Sequence, residues 1–357
     1  MRLLRFLSFA AVLALLSSCG GDSGSSRPLM LSPLATVTLD VDRGALLDYA
    51  TEAPATDFGA THDYALSELS TRVPLTVTVH SATDGAVKIN GELVATNKPH
   101  AVTVGEIGAA DQITVEYQDA QAADVVLTIH AVPASMPAYA TTGRISVAGE
   151  LALSAGSATN RNYLLLLDAG GAILYYRRAT DAEGQYSDFK RHDLADGTFY
   201  TFMNGSAVLP IGYLEGAVTV MDANFNTLYT VQGVLPNAAI GRPLVHSENH
   251  DFMLLGRDHY VVSGYQGVTT QGVSGIADGM KVVNGIFQEV QAGQVVFEWQ
   301  TIDHPEMFAQ SEEGNGYNAD TWSDYAHFNS IDIDPRDNNF VVSFRSMNSF
   351  WKIGRTR

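Results

Sequence analysis

Short runs in which apolar and polar residues alternate recur along most of this chain, and that alternation constrains the fold more than any other feature. A period of two places every second side chain on the same face of a β-strand, whereas an amphipathic helix needs a period of 3.6. Residues 75–80 (LTVTVH) and 125–130 (VVLTIH) follow the period of two, and Gly, Asp and Asn residues separate such runs. The sequence therefore predicts an all-β protein.

The strand pattern divides the chain into two parts. Residues 34–133 contain short alternating strands over the length of an immunoglobulin-like module, so we expect an antiparallel β-sandwich there. Its predicted strands are residues 36–41, 75–80, 87–90, 112–117 and 125–130. After a proline-punctuated linker, residues 142–357 contain hairpins in a weakly repeated unit, which is typical of a β-propeller.

The repeated hairpin begins near a histidine three times, at His192, His250 and His327. These histidines are 58 and 77 positions apart, more than the roughly 40–45 residues of a typical blade, so loop insertions or an intervening blade are needed. At that blade length, residues 142–357 provide about five blades at most. We therefore expect an incomplete propeller.

The beginning of the chain resembles a bacterial lipoprotein signal. A basic start and an apolar segment too short to span a bilayer lead into Leu-Ser-Ser-Cys, which ends at Cys19. We expect residues 1–18 to be a signal peptide, Cys19 to carry lipid, and residues 19–33 to form a Gly/Ser-rich tether. This predicts a lipid-anchored protein of the cell envelope that faces the periplasm or the cell surface. An ordinary secretory signal with a chance cysteine is the alternative.

Charge and residue usage exclude several classes of partner. The net charge of -18 repels nucleic acid and anionic headgroups, so we expect membrane association through the N-terminal lipid and no nucleic-acid partner. Cys19 is the single cysteine of the sequence, which rules out an internal disulfide. His246 and His250 lie four positions apart, but a sheet gives them no shared helical face, so we expect no metal and no cofactor.

The strongest candidate site lies in one hairpin near the end of the chain. Residues 331–334 and 340–344 are its predicted strands, and the turn between them contains Pro and Asn residues. His327 and Arg345 are equidistant from the turn centre, and such residues lie side by side in an antiparallel hairpin. We therefore expect them to meet at the open end of the hairpin, at a mouth of the propeller channel if these strands are innermost.

This pair of residue types suits transfer of an anionic group. Arg presents a planar fork of donors that fits a sulfuryl or phosphoryl group, and a neighbouring His can donate a proton to a leaving oxygen. From the spacing alone a structural role stays open, in which Arg345 pairs with Asp324 or Asp332 and His327 only begins a strand.

Residues 324–353 (DYAHFNSIDIDPRDNNFVVSFRSMNSFWKI) carry a resemblance to a known family. Their His-x-Asn-Ser-Ile strand start, Asp-Pro turn, Ser-x-Arg strand end and Lys-Ile closure resemble the signature region of bacterial PAPS-independent arylsulfate sulfotransferases. Residues 249–262 and 296–306 resemble the family's His-Asp blade opening and its Glu-Trp segment, although the usual Leu-Pro-Asn-Gly turn is replaced by Leu-Gly-Arg-Asp. The resemblance covers roughly residues 34–357 and is most specific over residues 324–353.

The resemblance implies an activity and a set of site residues. Members of the family transfer a sulfuryl group from a phenolic sulfate ester to a phenol acceptor through a sulfated histidine, without PAPS. His327 and Arg345 match two active-site groups of the family, and His250 best matches a third from an earlier blade. His246 and His192 are weaker matches for that third role, and His259 and His304 are expected to be surface or structural.

The chain departs from the family at its end. The family's nucleophilic histidine follows the signature arginine, whereas this sequence has no histidine after His327 and ends twelve residues after Arg345. We therefore expect a C-terminally truncated relative, which forms a sulfohistidine only if the missing part is supplied. The alternative is a non-catalytic surface lipoprotein whose propeller binds a ligand or a protein partner.

Overall fold

A computed structural model describes residues 31–56, 58, 62–103, 112–140, 142, 149–157, 160–208 and 212–355. The predicted signal peptide, Cys19 and most of the tether lie outside the described residues. Within the described part, strands predominate, and α1 (Pro305–Gln310) is the one α-helix. The all-β prediction is confirmed. No helix of the described part is long and apolar enough to cross a membrane.

Eleven strands lie in the described residues of the first part of the chain. They are β1 (Pro33–Leu34), β2 (Val37–Val41), β3 (Leu46–Asp48), β4 (Asp63–Leu66), β5 (Glu68–Ser70), β6 (Leu75–Ser81), β7 (Ala86–Ile89), β8 (Glu92–Ala95), β9 (Pro99–Val102), β10 (Gln112–Asp119) and β11 (Asp124–His130). One sheet has the order β3-β4-β11-β10-β7-β8, with β1 parallel to β10, and a second has the order β2-β6-β9. The five predicted strands are present within two residues of their expected bounds.

The two sheets of the first part share one apolar core. In β6, alternate residues Leu75, Val77 and Val79 are buried, as the period of two requires. They join Val115 of β10 and Leu127 of β11 in one cluster. Each fully buried aliphatic side chain of this kind contributes about 1.5–3 kcal/mol of transfer free energy.

Sixteen strands lie in the second part, as far as the structure describes it. They are β12 (Leu151–Ser157), β13 (Asn160–Leu167), β14 (Ile173–Arg178), β15 (Gln185–Leu194), β16 (Gly197–Val208), β17 (Tyr213–Met221), β18 (Thr227–Val231), β19 (Gly233–Val234), β20 (Val245–Glu248), β21 (Phe252–Gly256), β22 (His259–Thr269), β23 (Lys281–Gln291), β24 (Gln294–Gln300), β25 (Phe328–Ile333), β26 (Phe340–Phe344) and β27 (Ser349–Ile353). Short 3-10 helices span Ala238–Ile240, Thr301–Asp303 and Arg345–Met347.

These strands form four antiparallel sheets that follow one another along the chain. Their orders are β12-β13-β14-β5, β15-β16-β17 with β18 and β20-β19 beyond β17, β21-β22-β23-β24, and β25-β26-β27. Separate apolar clusters lie between the first and second, the second and third, and the third and fourth sheets. The sheets therefore stack in sequence order. The first strands of successive sheets are neighbours, since β12 lies against β15, β15 against β21 and β21 against β25.

The two parts of the chain are joined more closely than the sequence indicates. Strand β5 comes from the first part but pairs with β14 as the fourth strand of the first stacked sheet. Tyr163, Leu165 and Tyr176 of that sheet pack into the core of the first part. At the opposite end of the stack, the outer face of β25-β26-β27 carries Phe350, which is 76% exposed. The first part therefore covers one end of the stack.

Candidate active site

His250 and His327 come together where two neighbouring sheets begin. His250 lies two residues before β21, and His327 lies directly before β25. Because β21 and β25 are neighbouring first strands, the two imidazoles meet although they are 77 positions apart. Their Nε2 atoms are 3.2 Å apart, and the ring centroids are 4.8 Å apart with the rings near perpendicular.

A carboxylate stands behind each imidazole. Glu248 Oε2 contacts the Nδ1 of His250 and also accepts the His250 backbone N–H at 2.8 Å. Asp324 Oδ2 lies 2.5 Å from the Nδ1 of His327. An ionised carboxylate only accepts hydrogen bonds, so each Nδ1 is the donor and both Nε2 atoms are left to face each other. Two Nε2 lone pairs at this distance need one proton between them.

One proton shared in this way would make the histidine pair a cation held between two carboxylates. Burial lowers the pKa of His250, but the hydrogen bond and charge of Glu248 outweigh burial, and the net pKa is raised. His250 is 18% exposed and His327 only 5%, so the pair reaches solvent mainly through His250. The arrangement can donate one proton to an anionic group and then take it back.

Buried polar and aromatic groups hold the pair in place. The Glu248 side chain is fully buried, and Ser263 Oγ donates to its Oε1 at 2.5 Å. The Tyr265 ring lies 6.3 Å from the His250 ring and 6.2 Å from the His327 ring. Its hydroxyl donates to the carbonyl of Phe328 at 3.1 Å, so Tyr265 braces β25 against β22. These contacts limit the rotamers open to both imidazoles.

The backbone at His327 is strained. Its φ of 54° lies in the left-handed region, which residues with a Cβ seldom adopt. Arg345 N–H donates to the His327 carbonyl at 2.9 Å, and Ser346 N–H donates to the Ala326 carbonyl at 3.2 Å. The hairpin partner strand therefore holds His327 in a conformation that costs about 1–3 kcal/mol.

The backbone register predicted for His327 and Arg345 is confirmed, because the N–H of one bonds the carbonyl of the other. Their side chains have different partners. The Arg345 guanidinium pairs with Glu313 at 2.9 Å, and both side chains are more than half exposed. The alternative pairing with Asp324 or Asp332 is not seen either, since Asp324 bonds His327 three residues later. The spacing of the two residues predicts the pairing of their backbones, but it does not predict where the Arg345 guanidinium lies.

The comparison with known protein families finds a match over the part of the chain that carries this site. Residues 190–356 match the family model described as arylsulfotransferase (ASST). This part of the chain, a little under half of it, is therefore similar to the arylsulfotransferases. His250, His327 and Arg345 all lie within the arylsulfotransferase segment, as do Glu248 and Asp324.

Other comparisons add little to this assignment. No curated protein matches the chain. One solved structure, a candidate phosphatase from Bacteroides thetaiotaomicron VPI-5482, aligns with 87% of this chain and 98% of its own at 9% sequence identity. Its TM-score of 0.16 is too low to bear on the fold.

The remaining histidines of the arylsulfotransferase segment have other partners. His192, on β15, contacts Thr201 Oγ1 at 2.8 Å, and burial together with the nearby Lys190 lowers its pKa to about 4. His246 is exposed on β20. His259 contacts Glu289 at 2.6 Å, and His304 stacks on Trp299. Of the three candidates for the earlier-blade role, His250 is the one in contact with His327.

Glu248 and Asp324 are not predicted from the sequence as partners of the two imidazoles. A signal for them exists, because Glu248 lies two residues before His250 and Asp324 lies three residues before His327. An acidic residue shortly before each histidine is consistent with a local Nδ1 partner. Within the described part, no group of three or more His, Cys, Asp and Glu side chains is placed to hold a metal ion.

Proposed function

We propose that this protein transfers a sulfuryl group from a phenolic sulfate ester to a phenol acceptor. The observation that carries the proposal is the Nε2 contact between His250 and His327, each with a carboxylate at its Nδ1, inside the segment that matches the arylsulfotransferases. A cationic imidazole pair that holds one mobile proton suits an anionic ester whose leaving group is a phenolate.

The proposed chemistry divides into two half-reactions. In the first, the proton rests on the Nε2 of one imidazole of the pair, and the free Nε2 of the other attacks sulfur. An N–S bond forms there as the ester S–O bond breaks, and the protonated imidazole gives its proton to the phenolate oxygen. In the second, the acceptor phenol returns a proton to the pair as its oxygen displaces the histidine nitrogen from sulfur. Trapping the enzyme with donor alone and mapping the sulfated peptide by mass spectrometry identifies the histidine that carries the group.

Arg345 is proposed to bind the sulfuryl oxygens after leaving Glu313. An exposed ion pair of this kind is worth only about 0–1 kcal/mol, so an anionic ester competes with it readily. Glu313→Gln should therefore lower the KM for the donor by a few-fold, whereas Arg345→Ala should abolish turnover with the fold intact. An unchanged rate in Arg345→Ala would remove this residue from the site.

The architecture is proposed to be an immunoglobulin-like sandwich followed by blades of a β-propeller. Sequential stacking of four antiparallel sheets and the neighbouring positions of their first strands support this assignment. On this arrangement, His250 and His327 lie at a mouth of the central channel. We further propose that lipid on Cys19 holds the protein at the cell envelope, facing the periplasm or the cell surface.

The decisive experiment measures phenolate release from a chromogenic aryl sulfate, with and without a phenol acceptor. The wild-type chain should turn over, and His327→Ala and His250→Ala should each lose activity by about 100-fold or more while circular dichroism stays unchanged. A wild-type chain that binds aryl sulfate without turnover would contradict the proposal and favour a ligand-binding lipoprotein.

A further inference from the structure

Asp251, the residue between His250 and β21, bonds the two strands that lie on either side of β21. Its Oδ2 accepts the backbone N–H of Ile331 on β25 at 2.6 Å, and its Oδ1 pairs with Lys190 on β15. Strands β15, β21 and β25 belong to three different sheets, so no backbone ladder connects them. One side chain thus spans two sheet boundaries.

The position of Asp251 ties it to both histidines of the site. Asp251 is adjacent to His250, and Ile331 lies four residues after His327 on β25, the strand that directly follows His327. The strained backbone of His327 is held by hydrogen bonds from the partner strand, so the position of its imidazole follows the position of the hairpin that contains β25. The Asp251–Ile331 bond fixes that hairpin to the segment that carries His250, so its loss is expected to alter the distance between the two imidazoles.

Lys190 keeps the Asp251 carboxylate oriented. Its ammonium pairs with Asp251 and with Asp188 and donates to the Phe252 carbonyl at 3.2 Å. Asp188 in turn accepts the Phe252 backbone N–H at 3.0 Å. Ser263 Oγ, which donates to Glu248, also lies 3.2 Å from the backbone carbonyl oxygen of Asp251. Of the two carboxylates that pair with Lys190, Asp188 bonds the backbone of β21, and Asp251 is the one that bonds β25.

We propose that Asp251 is a positioning residue that sets the separation of His250 and His327 by fixing β25 to β21 and β15. Asp251 does not contact either imidazole, and its effect on catalysis passes through the geometry of the pair. The effect on turnover rests on the proposed function, but the effect on the imidazoles does not.

The first test measures the NMR signals of the two imidazoles in protein without substrate. The Nδ1–H groups of His250 and His327, each bonded to a carboxylate, are observed by ¹⁵N–¹H NMR at neutral pH. Asp251→Ala should shift or broaden both signals. Asp251→Asn keeps an oxygen that can accept the Ile331 N–H, and it should largely retain them.

Asp188→Asn is the matched control, because Asp188 shares Lys190 but has no bond to β25. The amide keeps an oxygen that can accept the Phe252 N–H. Because the Asp188 charge contributes to the raised pKa of His250, the control should move the His250 signal slightly and leave the His327 signal in place. If Asp251→Ala does not fold, Asp251→Glu retains the charge but displaces it by one methylene, and it should perturb both signals.

The second test measures turnover of the aryl sulfate donor. A displacement of about 1 Å between reacting groups costs roughly 100-fold, so kcat should fall by that order in Asp251→Ala with little change in KM. Histidine signals that stay unchanged in both Asp251→Ala and Asp251→Glu would overturn the positioning role. A wild-type chain without turnover, but with the expected NMR changes, would instead refute only the proposed function.

Discussion

At the scale of single residues, the site depends on how two imidazoles are bonded rather than on which residues are present. Glu248 and Asp324 define the tautomers, because each accepts from an Nδ1 and leaves Nε2 for the partner ring. The raised pKa of His250 arises from Glu248 despite the burial that opposes it. The charge of Glu248, a fully buried carboxylate, therefore determines the pH up to which the pair keeps its proton.

This dependence predicts the effect of Glu248→Gln on the pH profile. The amide keeps a hydrogen-bonding oxygen but loses the charge that raises the pKa of His250, so the pair should lose its proton at a lower pH than in the wild type. The alkaline limb of kcat/KM for an aryl sulfate should move to lower pH, and an NMR titration of His250 should move with it. Ser263→Ala, which leaves the Glu248 charge in place, should shift the limb less. An identical limb in Glu248→Gln and wild type would contradict the assignment.

At the scale of elements, β15 carries a buried histidine that bears on stability. Burial and Lys190 lower the pKa of His192 to about 4, below the ordinary value near 6.5. A depressed folded-state pKa contributes stability that is present above the unfolded pKa and is lost as the pH falls towards the folded pKa. The contribution of His192 should therefore disappear between pH 6.5 and pH 4.

His192→Gln tests this by removing the titrating group. The wild type should lose stability relative to the variant on acidification through that window, by up to about 3 kcal/mol. Urea unfolding at a series of pH values measures the difference. The raised pKa of Asp188 instead adds stability as the pH falls, over an overlapping pH range, but this contribution is the same in wild type and variant. Parallel stability curves for wild type and variant would show that His192 does not titrate in this way.

At the scale of the whole molecule, the first part of the chain and the stacked sheets share a sheet and a core. Strand β5 pairs with β14, and the single O–H of Tyr176 lies between two carbonyl acceptors, Leu66 at 3.0 Å and Ala131. An unpaired buried carbonyl costs about 1–3 kcal/mol. The two parts should therefore unfold together rather than as independent domains.

Tyr176→Phe removes that hydroxyl while keeping the ring. The variant should lose about 1–3 kcal/mol of unfolding free energy. Circular dichroism and tryptophan fluorescence should still report coincident transitions in urea, because the shared core remains. Two separate transitions in the wild type would contradict the coupling of the parts.

Attachment to a membrane also concerns the whole molecule. If Cys19 carries lipid, Cys19→Ser should move the protein from the membrane fraction to the soluble fraction after cell disruption. Metabolic labelling with a fatty-acid analogue should mark the wild type and not the variant. A variant that stays in the membrane fraction would show that another feature anchors the chain.

The sequence by itself determined the all-β class, the main strands of the first part and the register of the hairpin that joins His327 to Arg345. These follow from period-two alternation and turn composition, which act over a few residues. The family resemblance added His250 as the best match for the earlier histidine and left His246 and His192 as weaker matches for the same role.

Only the tertiary structure decided which side chains meet. The His250–His327 contact joins residues 77 positions apart because two sheets stack, and no local pattern encodes that distance. The same holds for the pairing of Arg345 with Glu313, for the link from Asp251 to Ile331, and for the placement of β5 beside β14. Local periodicity defines which face of a strand is buried, whereas packing between sheets defines what that face and the strand ends contact.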